Sequence, residues 1–341
     1  MENLHYSKAL NVLGFIIDTI KPTEKLVLCD ENSYKHCFPR LKRLMPTLKC
    51  IVIPAGEEGK NLESVTRVWD VMNKLNFDRD SLLINLGGGM ITDLGGFAAS
   101  CYKRGVRFFN VPTSLLGMID ASVGGKVGIN AYGNKNGLGL FKQAEHVFIY
   151  PPFLYTLPEI EMKSALGEAY KCALLRPKMA FAERVLNTEE VDIEDISWLI
   201  DGCLYVKLTQ CQDDPEDRGP RNALNLGHTM GHAIESWLIR NSNRISRHGF
   251  CVAWGLVYAL WLSVKLNEYP VEKFKEHRAR ICKLFGYPPC IMYEWLEPYL
   301  MNDKKGHSGN INFVLLKPDG SNNILPVWPA LIEEALICAY Q

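Results

Sequence analysis

The sequence predicts two domains: an α/β domain with a parallel sheet in residues 1–151, and a mainly α-helical domain in residues 152–341. A chain of 341 residues exceeds the size at which one hydrophobic core usually stops growing. Its first part alternates short apolar runs with amphipathic stretches, as buried parallel strands and their crossover helices do. After Pro151-Pro152 the strand-like runs nearly vanish and long helical patterns replace them.

The predicted strands of the first domain are runs rich in Val, Ile and Leu, at Lys25–Cys29, Leu48–Ile53, Leu82–Leu86, Arg107–Val111 and Val147–Tyr150. The stretch 61–75 lies between the second and third runs. It places most of its apolar residues on one helical face, namely Leu62, Val65, Val68, Trp69, Val71 and Met72. A strand, a helix and a further strand in succession predict a parallel crossover unit.

In the second domain, helical patterns cover Glu159–Leu175, Ile193–Gln212 and Asn225–Arg240, whereas Asn310–Leu316 resembles a strand. The apolar run Phe250–Val264 ends at Lys265. We expect a buried helix there, because the run is too short to cross a bilayer.

Composition and charge restrict the partners of this protein. Thirty-eight basic residues balance thirty-eight acidic ones, so no overall field favours nucleic acid or an anionic membrane. The eleven cysteines are odd in number and never spaced C-x-x-C, which fits neither a disulfide framework nor a zinc ribbon. The N-terminus lacks the pattern of a secretory leader. We therefore expect a cytoplasmic protein with reduced thiols, in which any anionic ligand is held by a local cluster of charges.

Three glycines, Gly87 to Gly89, follow a predicted strand and precede a helical pattern. Glycine lets the backbone approach a ligand closely, and the start of a helix offers free N–H groups to a pyrophosphate. The run is not the G-x-G-x-x-G fingerprint, and tight strand-to-helix turns often contain glycine without any ligand. The pattern is compatible with a nucleotide site and does not require one.

Polar residues also follow the first two predicted strands, Asp30 and Asn32 after one, Glu57 and Lys60 after the other. A carboxylate at the carboxyl end of a strand can accept hydrogen bonds from ribose hydroxyls. The alternative is helix capping, which favours Asp and Asn at the same positions.

The stretch RNALNLGHTMGHAIE, residues 221–235, contains a cluster of polar side chains. On one helix, His228 and His232 are four residues apart and face the same way, with Asn225 and Arg221 near that face. Two histidines at this spacing can bind one metal, although the H-E-x-x-H arrangement is absent. Two surface histidines are the alternative.

Three further ionisable residues, Glu168, Lys171 and His248, lie in or beside apolar helical patterns. Such groups are unfavourable when buried unless they are paired or metal-bound. Two histidines and one carboxylate leave coordination positions open for water or substrate, as in catalytic metal sites. A simple Glu168–Lys171 salt bridge is the alternative.

Together the motifs resemble those of the 3-dehydroquinate synthase family of sugar phosphate cyclases. They are, in order, GGGMITDLGGFAASCYKRGVRF, VPTSLLGMIDASVGGKVGIN, KNGLG, TLPEIEMKSALGEAYK, RNALNLGHTMGHAIE, HG and DKKGHSGNINFVLL. The resemblance runs from about Asp30 to Leu316. It implies a Rossmann-like first domain and a fold similar to that of glycerol dehydrogenase and the iron-containing alcohol dehydrogenases.

The resemblance implies a lyase of the shikimate pathway, which leads to chorismate and the aromatic amino acids. Its substrate would be 3-deoxy-D-arabino-heptulosonate 7-phosphate, and its products 3-dehydroquinate and phosphate. NAD would oxidise a ring hydroxyl and later return the hydride, with no net redox change. A divalent metal, Zn²⁺ or alternatively Co²⁺, would act as a Lewis acid. The resemblance also implies a homodimer.

The resemblance also assigns roles to residues. The metal ligands would be Glu168, His228 and His248. The substrate's carboxylate and hydroxyls would meet Asp120, Lys126, Asn136, Lys171, Lys207, Arg221 and Asn225. Its phosphate would meet His232 and Lys126, with Arg104 reaching across a dimer and Lys304 or Lys305 adding a cation. The cofactor would meet Asp30, Asn32, Glu57, Lys60, Gly88, Gly89, Asp93, Thr113, Ser114 and Lys135. Such a set of cations suits a substrate with a phosphate and a carboxylate.

The chain departs from the family pattern beside two of the predicted ligands. GEAYKCA stands where A-E-V-I-K-Y-G is usual, and Phe250 stands where a Glu usually follows the His-Gly pair. We expect His248 to lack an acidic neighbour, which would alter metal affinity. Three alternative functions stay open: a cyclase of the inosose or valiolone synthase type, a polyol dehydrogenase, and an inactive paralogue that serves as a binding module.

Overall fold

The computed structural model describes residues 3–132, 134–241, 247–303, 310–338 and 340. The chain forms two compact units. Unit 1 consists of Met1–Met162 with Asp192–Ile196, and unit 2 consists of Lys163–Val191 with Ser197–Gln341. The first unit therefore extends past residue 151, the predicted end of the first domain, and takes in a short later segment.

Unit 1 is built on a six-stranded parallel sheet and an antiparallel hairpin. Its strands are β1 (Asn3–Tyr6), β2 (Lys25–Asp30), β3 (Lys49–Ile53), β4 (Leu82–Gly87), β5 (Arg107–Pro112), β6 (Lys126–Ala131), β7 (Asn134–Phe141) and β8 (His146–Ile149). The sheet order is β1-β8-β5-β4-β2-β3, and β6 pairs with β7. All the predicted strands are confirmed. The edge strand β1 and the hairpin were not predicted. Neither β1 nor β7 contains a buried residue, although Val127 and Ile129 of β6 are buried.

The helices of unit 1 are α1 (Asn11–Ile20), α2 (Glu31–His36), α3 (Phe38–Leu44), α4 (Leu62–Lys74) and α5 (Gly89–Cys101). From β2 the chain passes outward to β3, then returns to β4 on the other side of β2. This reversal opens a crevice at the carboxyl ends of β2 and β4, where open α/β sheets bind their ligands. The helices α2 and α5 both begin at that edge.

Unit 2 is mainly helical, as predicted. The helices are α6 (Glu159–Leu175, whose first turn belongs to unit 1), α7 (Ala180–Asn187), α8 (Ser197–Asp213), α9 (His228–Asn241), α10 (His248–Leu266), α11 (Val271–Phe285), α12 (Tyr293–Asp303) and α13 (Pro329–Cys338). An antiparallel hairpin joins β9 (Ile311–Leu316) to β10 (Asn322–Val327). The strand predicted at 310–316 is confirmed, and β10 was not predicted.

One predicted helix begins later than expected. Residues Pro220–Asn225 form a 3₁₀ turn, and α9 begins only at His228. Between them Gly227 has a φ of 76°, a left-handed conformation that interrupts the helix. The prediction that Arg221 and Asn225 share a helical face with the two histidines is therefore wrong.

The apolar helix α10 forms the centre of unit 2. The buried helix predicted for 250–264 is confirmed, although the whole helix, at 19 residues and a mean hydropathy of 1.6, is long and apolar enough by length and composition to span a membrane. However, 67% of that window is buried within the protein, which is typical of a core helix. It packs against α9, α11, α13 and β9.

All eleven cysteines of the chain are free thiols.

Candidate active site

The centre of unit 2 brings Glu168 and His248 together because α6 and α10 cross at glycines. A Cβ atom on Gly167 would overlap the carbonyl oxygen of Gly249, and one on Gly249 would overlap that of Ser164. Without side chains at these positions the two backbones touch. Glu168 follows Gly167 and His248 precedes Gly249, so the close crossing brings these two side chains into contact.

Three potential ligand atoms face one another at this crossing. The Nε2 atoms of His228 and His248 each lie 3.2 Å from Oε1 of Glu168. Nδ1 of His228 lies 3.1 Å from the carbonyl oxygen of Leu226, and Nδ1 of His248 lies 3.0 Å from Oε2 of Glu235. Because both of those partners are acceptors, each Nδ1 carries the proton, which leaves both Nε2 atoms with a lone pair.

This arrangement fits a divalent metal. Three lone-pair atoms in contact repel one another unless a proton or a cation lies between them. Nitrogen and oxygen ligands bind zinc at about 2.0–2.2 Å, which in tetrahedral geometry separates them by roughly 3.3 Å. The 3.2 Å separations here match that spacing. His232 belongs to the same cluster, since one ligand atom from each of His228, His232 and His248 lies within 4.8 Å of the others.

Electrostatics keep the cluster ready to bind a cation. Burial by itself raises the pKa of Glu168, but the charge of Lys171 holds it well below its usual range. Burial, and then the charge of Lys171, lower the pKa of His228 to about 4. His228 is therefore neutral at pH 7 and need not release a proton to bind a metal. Lys171 also forms an ion pair with Oε2 of Glu168, so the predicted salt bridge exists inside the cluster.

Sequence reasoning missed Glu235. Only 4% exposed, it holds His248 through the 3.0 Å bond to Nδ1. His248 therefore has an acidic partner from another helix, although position 250 carries no carboxylate, and the change in metal affinity stays a prediction. Phe250 instead packs edge-to-face on Phe285, with ring centroids 5.3 Å apart. The signal for Glu235 was its position three residues after His232, on one face of α9.

A fixed loop precedes α9 and carries Arg221. The carboxylate of Asp214 accepts hydrogen bonds from the backbone N–H groups of Arg218 at 2.9 Å, Gly219 at 2.6 Å and Arg221 at 3.3 Å. The guanidinium of Arg221, itself buried, donates to the carbonyl oxygen of Pro215 at 2.8 Å. Both ends of Arg221 are thus held by the same loop.

Two more predicted substrate residues belong to unit 2. Lys207 lies on α8 and is buried. The amide of Asn225 donates to Asn222 at 3.4 Å, within the 3₁₀ turn. Lys304 and Lys305 lie outside the described residues.

In unit 1 the glycine loop forms the expected strand-to-helix turn. Gly88 is the N-cap of α5. A Cβ atom added at Gly88 would lie 3.2 Å from Oγ of Ser114. A Cβ on Gly89 would lie 2.9 Å from Cβ of Ala121. The backbone N–H of Thr113 donates to Gly87 at 2.9 Å, which ties the ends of β4 and β5 together.

At the neighbouring strand end, the structure forms the capping alternative. Asp30 accepts a hydrogen bond from the backbone N–H of Ser33 at 2.7 Å and caps α2. Asn32 is exposed in the first turn of the same helix. Asp30 keeps further acceptor capacity for a ribose, since a carboxylate has four lone-pair sites.

A buried lysine connects several predicted residues of unit 1. Nζ of Lys60 lies 2.6 Å from Oδ2 of Asp93 and 2.5 Å from Oδ1 of Asn136. Beside it, Glu57 accepts from the amide of Asn130 at 2.9 Å. Asn136, predicted for the substrate, is thus held by Lys60, predicted for the cofactor. With Lys126, Asp93 and Asn136 line a cavity of roughly 330 Å³.

The other predicted residues of unit 1 lie at its loops and hairpin. Asp120 belongs to the π-helical turn Gly117–Ala121, and Lys135 to β7. Ser114 accepts from the N–H of Gly117 at 3.1 Å. Arg104 is exposed in a left-handed conformation, with a φ of 66°.

Comparison with known proteins identifies relatives over most of the chain. Two family models match, 3-dehydroquinate synthase N-terminal over residues 50–164 and 3-dehydroquinate synthase C-terminal over residues 165–306. The 3-dehydroquinate synthase of Parabacteroides distasonis is 37% identical over 313 residues, 90% of this chain and 88% of the relative. That of Pyrococcus furiosus is 37% identical over 338 residues, 96% of each protein.

Solved structures show the same fold. A 2-deoxy-scyllo-inosose synthase complexed with carbaglucose-6-phosphate, NAD⁺ and Co²⁺ has a TM-score of 0.86 at 22% identity, covering 98% of this chain and 96% of that one. A 2-epi-5-epi-valiolone synthase from Streptomyces hygroscopicus with NAD⁺ and Zn²⁺ has a TM-score of 0.85 at 22% identity, covering 100% and 97%. The predicted fold class is therefore confirmed.

Proposed function

This chain belongs to the 3-dehydroquinate synthase family, and we propose that it converts 3-deoxy-D-arabino-heptulosonate 7-phosphate to 3-dehydroquinate and phosphate. One observation carries the proposal. The Nε2 lone pairs of His228 and His248 converge on Oε1 of Glu168, in a buried cluster that also contains Lys171. A structural salt bridge has no need of two histidines held in the same tautomer.

Each residue of the cluster has a distinct task in this proposal. Lys171 keeps Glu168 ionised, while Glu235 and the carbonyl of Leu226 orient the two imidazole rings. A metal held by these residues would supply Lewis acidity to a substrate oxygen, and bound NAD would supply the capacity for reversible hydride transfer. His232, at the edge of the cluster, would hold the phosphate.

Anionic groups of the substrate need cations that are already held in place. Lys207 and Arg221 are buried in unit 2, and the Asp214 loop fixes Arg221. Charge-assisted hydrogen bonds from such groups orient a carboxylate strongly. The roles of Asp120, Lys126, Asn136 and Asn225 in substrate binding are part of the proposal, as are those of Arg104, Lys304 and Lys305.

For the cofactor, we propose that the pyrophosphate of NAD meets the start of α5 at Gly88 and Gly89. A helix N-terminus offers free N–H groups and a partial positive charge to an anion. Asp30, Asn32, Glu57, Lys60, Asp93, Thr113, Ser114 and Lys135 would complete the site. The two solved cyclases contain NAD⁺, with Co²⁺ in one and Zn²⁺ in the other. We propose Zn²⁺ as the native metal and a cytoplasmic homodimer as the active form.

The decisive test is the release of phosphate from the heptulosonate phosphate, with NAD and Zn²⁺ added. We expect phosphate and 3-dehydroquinate in equal amounts, and no accumulation of NADH. The matched control is His228→Ala, which removes one ligand and keeps the fold of α9. Phosphate release no faster than in that control would contradict the proposal.

The alternatives give different outcomes in the same assay. Turnover of glucose 6-phosphate in preference to the heptulosonate phosphate would indicate a cyclase of the inosose type. Accumulation of NADH in proportion to product would indicate a polyol dehydrogenase. Bound NAD and metal with no turnover of any sugar phosphate would indicate a binding module.

A further inference from the structure

The core of the parallel sheet contains two polar side chains that the proposed reaction does not use. Asn85 on β4 and Asn110 on β5 are register partners, with exposures of 0% and 4%. The Asn85 amide donates to Oδ1 of Asn110 at 2.9 Å. Oδ1 of Asn85 has no hydrogen-bond partner in the part of the chain that the structure describes. Burying an unpaired amide oxygen costs free energy, so stability alone does not account for this pair.

The pair reaches out of the sheet through one bond. Nδ2 of Asn110 donates to the backbone carbonyl oxygen of Ser122 at 2.9 Å, and both residues are buried. Ser122 directly follows the π-helical turn that contains Asp120, and it precedes Lys126 by four positions. The Asn110 side chain therefore anchors the segment that links these two predicted substrate residues.

This segment needs an anchor because of its glycines. Gly124 and Gly125 have φ values of 88° and 70°. Glycine adopts many conformations at little cost, so two in succession do not fix the direction of the chain. At the far end, the carbonyl of Gly125 accepts from the N–H of Lys142 at 2.7 Å. Between these two bonds the segment leads into β6, which starts at Lys126.

The same segment also contacts the glycine turn. Ala121, the residue before Ser122, has its Cβ 2.9 Å from the position that a Cβ on Gly89 would occupy. A shift of Ser122 would therefore move Ala121 against the start of α5. The hydrogen bond from Asn110 therefore contributes to the packing of Ala121 against this turn as well as to the course of the chain to Lys126.

We propose that Asn110 is a positioning residue, whose amide fixes residues 117–126 so that Asp120 and Lys126 are presented to the substrate. This inference rests on the proposed function, since it assigns those two residues to substrate binding. Asn85 has a lesser part, because it holds the amide of Asn110 in the orientation that points Nδ2 at Ser122.

Two variants separate positioning from general stability. Asn110→Leu removes the bond to Ser122, whereas Asn85→Ala removes the bond between the two amides and leaves the bond to Ser122 intact. We expect Asn110→Leu to raise KM for the heptulosonate phosphate about tenfold, with a smaller change in kcat, because Asp120 and Lys126 would be held less precisely for binding the substrate. KM of Asn85→Ala should rise by much less, because the bond from Asn110 to Ser122 remains. Metal content should be unchanged in both, because the histidine cluster belongs to unit 2.

Hydrogen exchange gives a readout that does not depend on turnover. The backbone amides of residues 123–126 should exchange faster in Asn110→Leu than in the wild type, whereas those of β4 and β5 should not. If Asn110→Leu does not fold, Asn110→Ser is used in its place. The serine side chain is shorter than that of asparagine and does not reach the carbonyl oxygen of Ser122. Wild-type exchange at 123–126 in the Asn110 variants would overturn the inference, as would an equal rise of KM in Asn85→Ala. A wild-type protein that releases no phosphate would overturn the proposed function alone. Hydrogen exchange would still show whether Asn110 holds residues 123–126, because it does not require turnover.

Discussion

The two units differ in how they hold their proposed binding groups. Unit 1 offers mainly backbone N–H groups at the glycine turn Gly88–Gly89, together with one buried lysine, Lys60, whose partner Asp93 is part-exposed. Unit 2 instead buries ionisable side chains within its helices, with Glu168 and Lys171 only 1% and 2% exposed. Backbone dipoles at a helix start need no buried charge, whereas a buried carboxylate and ammonium are costly unless each satisfies the other. Ligand binding by unit 2 should therefore be sensitive to substitution of single ionisable side chains. Ligand binding by unit 1 should instead be sensitive to side chains added at the glycines of the turn.

The largest effect is expected from Glu168→Gln. This change removes a proposed metal ligand and the negative charge that pairs with the buried ammonium of Lys171. We expect loss of bound metal, no measurable turnover, and a destabilisation of about 3–5 kcal/mol, as for one partner of a buried ion pair. Metal analysis and urea unfolding measure the two consequences separately.

The double variant Glu168→Gln, Lys171→Met is the matched control. It removes the charge that Glu168→Gln strands, so most of the stability should return while metal binding stays lost. If Glu168→Gln and the wild type had the same free energy of unfolding, the Glu168–Lys171 ion pair would not contribute to the stability of unit 2.

The next effect concerns acid stability. His277 on α11 has a pKa lowered to about 4, by burial first and then by the charge of Lys273. Its ordinary pKa is 6.5, so between pH 6.5 and 4 the unfolded chain takes up a proton that the folded protein does not. Stability should fall through that range as pH is lowered, by about 3 kcal/mol from this residue alone.

His277→Gln tests this contribution. It replaces the ring, whose Nδ1 lies 2.9 Å from the hydroxyl of Tyr170, by an amide that does not titrate. The free energy of unfolding of the variant should decline less than that of the wild type between pH 6.5 and 4. Parallel curves for the two proteins over this interval would contradict the assignment.

A smaller effect is expected from Glu235→Gln. The amide keeps an oxygen for Nδ1 of His248 but loses the charge, and such partners contribute about 10–100-fold to metal affinity. Zinc affinity measured with a competing chelator should drop within that range. Phe250→Leu serves as control, since Phe250 packs on Phe285 and should leave zinc affinity unchanged. An equal loss in both variants would point to a packing effect instead.

The smallest effect should come from Gly89→Ala in unit 1. The added Cβ would lie 2.9 Å from Cβ of Ala121, so the start of α5 must shift by a few tenths of an ångström. We expect NAD affinity to fall about tenfold, the equivalent of roughly 1.4 kcal/mol, with metal content unchanged. Gly14→Ala, whose Cβ would meet Leu44 at an ordinary 3.4 Å, is the control in the same unit. Unchanged NAD binding in Gly89→Ala would contradict the use of this turn for the cofactor.

Local pattern was enough to predict the elements, because burial leaves a periodic trace in the sequence. The strands β2, β3, β4, β5 and β8 were all predicted from their apolar runs. Local pattern failed where a conformation depends on one residue or on a distant partner. Gly227 interrupts the predicted helix between Asn225 and His228, and the hairpin β6–β7 forms through cross-strand pairing along β7, which contains no buried residue.

The sequence by itself determined the fold class and the chemistry of the candidate site, since the types and order of Glu168, His228 and His248 are fixed by the motifs. Only the tertiary structure decided how those residues are held. The close crossing of α6 and α10 places Glu168 beside His248, and α9 brings Glu235 to the far side of the same ring. Contacts between residues far apart in the chain depend on the packing of whole helices, so no local pattern of residues records them.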